Sequence, residues 1–184
     1  MRPLLLALAV LVAAYGADGH GDETTLAVTD SGVLEVGIGD SVRYGDSPQQ
    51  VGSLRLPIDA GEGPFPVIAF IHGGFWRNTY DSSLAEPQAA DARSKGYATW
   101  NIEYRRVGDE GGGYPGTLDD IATAIDALAR INAPLDLDQV FVVGHSAGGH
   151  LALWVGQRDD PFVVPRLVVG QAPVADLAGS LDLG

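Results

Sequence analysis

Apolar and polar positions follow two different periods along this chain. Residues 65–71 carry the uninterrupted run Val67-Ile68-Ala69-Phe70-Ile71, which predicts a strand buried on both faces of a parallel sheet. Residues 32–38 and 50–56 alternate apolar with polar side chains between Gly, Asp and Pro, and predict two half-exposed antiparallel strands. Residues 97–104 alternate through Ala98, Trp100 and Ile102, while 139–143 and 166–169 are short apolar runs of buried-strand type. Helical spacing separates these strands. Residues 82–95 predict a helix stopped at Gly96, and residues 147–157 predict another. Residues 117–131 give the clearest helix: Leu118, Ile121, Ile125 and Leu128 recur at spacings of three and four, with Asp119 and Asp120 in the first turn, where the helix dipole favours negative charge. Two antiparallel strands followed by alternating strands and helices predict an α/β fold: a mostly parallel open sheet with helices on both faces.

The N-terminus has a separate character. Met1-Arg2 supplies one positive charge, residues 4–14 form an apolar run, and Ala14-Tyr15-Gly16-Ala17 offers small residues for processing. Residues 1–17 therefore read as a signal peptide, since the run is well short of the roughly 20 residues a spanning helix needs. The expectation is a secreted or periplasmic chain without a stable membrane anchor, in which a flexible acidic leader over 18–31 precedes one domain over 32–184. His20, Asp22 and Glu23 sit in that leader and are expected to solvate it, not to bind metal.

Composition narrows the chemistry. The 184 residues include no Cys, which removes disulfides, thiolate metal sites and cysteine nucleophiles together. Twenty-four acidic against eleven basic residues give a net charge of -13, opposite to the basic footprint of nucleic-acid binding. Lys95 is the only lysine and no glycine motif precedes it, so a phosphate-binding loop is excluded.

Two glycine-rich segments carry the candidate chemistry. Gly144-His145-Ser146-Ala147-Gly148 matches G-x-S-x-G between an expected strand and an expected helix. A serine at such a junction sits on a sharp turn above the strand ends, and the N–H of Ala147 is aimed where negative charge develops on an attacked carbonyl. The alternative is a serine that merely caps the helix. The second segment, His72-Gly73-Gly74-Phe75-Trp76, follows the strand at 65–71. Glycine lets its backbone approach closely, and the N–H of Gly74 or Phe75 together with Ala147 would form a two-donor oxyanion hole. His72 reads as a hydrogen-bonding brace. Trp76 and Tyr104 are weaker candidates for a substrate pocket, being equally at home in a core. Arg105 and Arg106 are expected to pair with Asp109, Glu110 or Glu103.

With His72 to Trp76, Tyr104-Arg105-Arg106, Tyr114-Pro115-Gly116 with Asp119, and the run GHSAGGHLA from Gly144 to Ala152, residues 33–177 resemble the α/β-hydrolase superfamily. The match is to its esterase and lipase branch, near the feruloyl-esterase-like and kynurenine-formamidase subgroup and more remotely the prolyl-oligopeptidase-type peptidases. The resemblance implies a serine hydrolase that cleaves small carboxylic esters through an acyl-enzyme on Ser146, without metal or organic cofactor. An arylformamidase, a serine peptidase or an inactive binding domain are the alternatives. It also implies a triad acid and histidine on later strands. Asp176 is expected to lead a helix, His145 to point away from Ser146, and His150 to pack under the turn. The expectation is an incomplete α/β-hydrolase domain whose C-terminal strands, acid and base lie beyond Gly184, leaving 166–169 as an exposed edge.

Overall fold

The computed structural model describes residues 32–34, 41–58 and 61–180. The signal-peptide, leader and leader-cluster expectations all fall outside these residues.

Six strands form one sheet in the order β1-β2-β4-β3-β5-β6. They are β1 (Ser41–Arg43), β2 (Val51–Arg55), β3 (Phe65–Ile71), β4 (Ala98–Ile102), β5 (Leu135–His145) and β6 (Leu167–Gln171). β1 and β2 are antiparallel, β2 joins β4 antiparallel, and all remaining pairs are parallel. The expected architecture is thus present. The two apolar registers of β3 explain why both faces need helices. Val67, Ala69 and Ile71 pack with α2 (Gly116–Ala127) and α3 (Ala147–Val155) in a core that includes Trp100, Ile121, Ile125 and Leu151. Phe70 points the other way, against Ala85, Ala89 and Ala92 around α1 (Glu86–Ser94).

The element boundaries show where local pattern was insufficient. Of the expected strand over 32–38, only residues 32–34 are among the described residues. Leu34 makes only a parallel bridge to Ile131, residues 35–40 lie outside the described residues, and the pairing partner of β2 is β1. Three residues with one buried valine carry too little alternation to be read from sequence. The expected helix at 82–95 splits into a 3₁₀ turn at Ser82–Ala85, capped by Asp81, and then α1, which tolerates Pro87 because it lies in the first turn. The helix ends at Ser94, just before Gly96 with φ 93°, as its glycine implied. Helix α2 ends in a further 3₁₀ turn at Leu128–Arg130. Strand β5 begins earlier than its apolar core: Leu135 and Asp136 pair with Phe65 and Pro66 before the register shifts to Val67 opposite Val140.

Strand β6 was expected to be both apolar and an exposed edge. It is an edge among the described residues, and its burial is accordingly incomplete: Leu167 is 54% exposed, next to Phe162 and Val164, which are also exposed. The short helix α4 (Leu177–Ser180) follows. Among the described residues no helix is long and apolar enough to cross a membrane.

Strand order places the site. From β3 the chain crosses to β4 on one side, then returns past β3 to β5 on the other. The loops after β3 and β5 therefore diverge at the carboxyl ends of neighbouring strands, which is where open α/β sheets leave a crevice.

Candidate active site

Ser146 lies between the last residue of β5 and the first of α3, with φ 55° and ψ -119°. For a residue with a Cβ this conformation costs on the order of 1–3 kcal/mol and persists only where neighbours impose it. Here they do. The Ser146 N–H donates to the carbonyl of Gln171 at 2.9 Å, and the Ser146 carbonyl accepts from Val174 at 3.2 Å and His150 at 3.1 Å. The turn also needs close packing of backbone on backbone. A Cβ on Gly148 would lie 2.2 Å from the Ile71 carbonyl oxygen, and one on Gly144 would lie 2.0 Å from that of Gly148.

The loop after β3 meets this turn from the opposite side. A Cβ on Gly73 would stand 3.2 Å from the Ser146 Cβ, so the two glycine-rich segments touch. Gly74, Phe75 and Trp76 all have positive φ, at 111°, 54° and 57°. Two successive large residues in that region are unusual, and ladder-like bonds hold them: Arg77 N–H to the Gly74 carbonyl at 3.0 Å and Val107 N–H to the Trp76 carbonyl at 2.7 Å. Gly73, Gly74, Phe75 and Ser146 line one cavity of about 590 Å³, which runs on past Tyr80 and Leu84 toward α1. Ala147 is fully buried behind Ser146, and its N–H, the first of α3, has no acceptor inside the helix.

Three expectations about neighbours need correction. Tyr104 is not a pocket residue. It is fully buried, stacked on His72 at 4.4 Å, and its hydroxyl donates to the His72 carbonyl at 2.8 Å. Burial holds that phenol well above its ordinary pKa, so it serves as a neutral donor. Trp76 does not line the Ser146 cavity either. It faces a second cavity of about 420 Å³ with Tyr114, Trp154 and His150. Its left-handed backbone turns the indole across α3, where it meets the His150 ring edge to face at 5.4 Å. His150 is therefore beside Trp76, and burial lowers its pKa. Arg105, finally, pairs with Asp120 and not with the acids of its own loop: Asp120 is completely buried and accepts from Arg105 N–H and Nε at 2.9 Å, from Arg105 Nη2 at 2.6 Å and from Gln50 Nε2 at 2.7 Å.

Other expectations hold. Arg106 pairs with Glu103 at 3.1 Å and Asp109 at 3.4 Å. Asp176 accepts from the Gly179 N–H at 2.9 Å and so leads α4. His145 is exposed. His72 is a brace, with Nδ1 on the Gly73 carbonyl at 2.8 Å and Nε2 facing Glu103 Oε1 at 3.3 Å. Among the described residues, no hydrogen bond joins the Ser146 hydroxyl to a histidine or carboxylate. Gly111 to Gly113 form a close-packed turn: a Cβ on Gly112 would lie 1.9 Å from the Arg106 carbonyl oxygen.

Sequence reasoning missed the reach of Glu103 and Asp120, and it missed Gln171. No periodicity marks residues whose partners lie tens of positions away. Burial works to raise the Glu103 carboxyl, but the hydrogen bond and charge of His72, the Ser82 N–H and Arg106 outweigh it and leave the group below its ordinary 4.5. The unfolded chain then binds this proton more tightly than the folded one. Its stabilising contribution is complete above the unfolded value and is lost as pH falls through the folded value. Urea midpoints taken at about pH 6 and about pH 3.5 should fall more for the parent chain than for Glu103→Gln, which has no carboxyl to protonate.

The similarities to known proteins fit this geometry. The BD-FAE family model matches residues 54–162. Esterase LipC of Mycobacterium tuberculosis is 33% identical over 141 residues, covering 73% of this chain and 34% of LipC, so the chain spans about a third of that curated relative. Among solved structures, inhibited esterase B from Lactobacillus rhamnosis is 33% identical with a TM-score of 0.56, over 68% of this chain and 43% of that one. A bacterial heroin esterase is 31% identical with a TM-score of 0.54, over 62% and 36%. With a match extending over more than half its length and the strand order to go with it, this chain is an α/β-hydrolase-fold protein that belongs to the BD-FAE family.

Proposed function

We propose that the chain is the nucleophile-bearing part of a carboxylic ester hydrolase that works by acyl transfer. The observation that carries this reading is the Ser146 backbone, held at φ 55° on a strand-to-helix turn and lining one cavity with Gly74 and Phe75. Ser146 Oγ would attack the ester carbonyl, its proton passing to a base, and the N–H groups of Ala147 and of Gly74 or Phe75 would hold the resulting oxyanion. Collapse of that intermediate breaks the ester C–O bond and releases the alcohol. Water then hydrolyses the acyl-serine. The described residues supply the nucleophile and the donors to the oxyanion, and the reading assigns no base among them. The similarity to proteins named as esterases supports the ester over the formamide or peptide alternatives. The apolar character of Phe75, Tyr80 and Leu84 along the cavity fits a small uncharged acyl or alkyl group. The run at residues 1–17 adds the proposal that the chain acts after export.

A fluorophosphonate probe tests the reading. The folded chain is expected to gain the mass of one adduct, and Ser146→Ala, with an unchanged circular dichroism spectrum, is expected to gain none. A folded parent chain that takes no label would overturn acyl transfer for this chain and favour a binding role for the cavity.

A further inference from the structure

Glu103 ties together more separate segments around the Ser146 cavity than its position suggests. It is the first residue after β4, and its side chain is 13% exposed. Oε1 faces His72 Nε2 at 3.3 Å, accepts from the Tyr104 N–H at 3.0 Å and pairs with Arg106 Nη2 at 3.1 Å. Oε2 accepts from the Ser82 N–H at 2.8 Å, at the turn that leads into α1. One side chain therefore joins the loops that follow β3 and β4 to the start of α1. Among the described residues, Glu103 and Asp109 are the counter-charges of the buried Arg106, at 3.1 and 3.4 Å.

The far side of the imidazole is what gives this arrangement a catalytic consequence. Nδ1 of His72 donates to the Gly73 carbonyl at 2.8 Å. The Gly73 carbonyl and the Gly74 N–H belong to one planar trans peptide, so they point in opposite directions. With the carbonyl drawn onto a buried ring, the N–H is turned away from the core, on a residue that lines the cavity with Ser146. Stacking of His72 on Tyr104, and the bond from the Tyr104 hydroxyl to the His72 carbonyl, leave the ring little freedom to tilt. The ring can still swing about its own bonds unless Nε2 is held, and Glu103 is the group that holds it.

We propose that Glu103 is a positioning residue for the oxyanion donor: acting through His72, it sets the Gly73–Gly74 peptide plane and so aims the Gly74 N–H at the carbonyl that Ser146 attacks. The use made of that N–H rests on the acyl-transfer reading above. The control of the peptide plane does not, and the two are separable by experiment.

Amide hydrogen exchange over residues 73–76, compared with β3 and β5, reads the loop directly in the parent chain, Glu103→Ala and Glu103→Gln. Fluorophosphonate labelling rates are taken on the same three samples. Glu103→Ala is expected to raise exchange in the loop about tenfold while β3 and β5 keep their parent rates, because the opening is local. The labelling rate is expected to fall about 10- to 100-fold, somewhat less than deletion of a whole oxyanion donor. Glu103→Gln keeps one acceptor oxygen where the carboxylate faces four donors, and a local rise of about threefold is expected. A general loss of stability would raise exchange in the strands and the loop alike, and that result overturns the proposal. So does unchanged loop exchange in Glu103→Ala. If that variant does not fold, Glu103→Gln decides by the same criterion, a local rise supporting and its absence overturning. A parent chain that takes no label, with loop exchange still responding to Glu103, would sink acyl transfer and leave the positioning role standing.

Discussion

Gly148→Ala is expected to destabilise the chain by about 3 kcal/mol, the upper part of the range for forcing atoms into a packed interior. The added Cβ would stand 2.2 Å from the Ile71 carbonyl oxygen and 2.4 Å from that of His72. Both obstacles are backbone, so no side chain can swing aside. Relief requires α3 to move away from the end of β3, and that separation pulls Ser146 away from Gly73 and Gly74. Stability and fluorophosphonate labelling should therefore fall together. Gly61→Ala is the control, since a Cβ there would meet nothing within 4 Å. Urea unfolding of the two variants reads the difference, and equal midpoints would show that the contact between α3 and β3 is looser than the structure has it.

Asp120→Ala should have an effect of similar size for a different reason. The carboxylate is completely buried and is the shared acceptor for Arg105 and for Gln50, which precedes β2. Removing one partner of a buried pair typically costs about 3–5 kcal/mol, because the remaining charge and N–H groups keep their desolvation penalty. Arg105 is partly exposed and can turn toward water, which places the expected loss near about 3 kcal/mol. Asp120→Asn, which keeps one acceptor oxygen, should lose about half as much. The test is the urea midpoint of both variants. An alanine variant within about 1 kcal/mol of the parent would show that the Arg105 interaction is worth no more than a surface ion pair.

The two substitutions also mark what could and could not be read in advance. Gly148 was legible, because a G-x-S-x-G between strand and helix signals allows only small residues. Asp120 was not. In sequence it is the second acid in a helix first turn, and only the return of the chain past β3 brings it beneath Arg105 and Gln50. Tyr104 and Trp76 failed as pocket candidates for a related reason. Both are aromatic residues near strand ends, and which cavity, if any, such a side chain enters depends on backbone direction. The left-handed φ of Trp76 sends it across α3, while the extended strand β4 delivers Tyr104 onto His72 in the core.

By itself, then, the sequence determined the class of fold, the parallel core strands, the helix faces and the two segments that meet at Ser146. All of these follow from period and from local backbone sterics, which act over a few residues. The tertiary structure decided which acid pairs with which base, that Glu103 reaches His72 and Ser82, that Ser41–Arg43 pairs with β2, and that Trp76 and the Ser146 cavity part company. Those outcomes depend on strand order and crossover, which bring residues tens of positions apart within hydrogen-bond distance, and no local pattern along the chain encodes that distance.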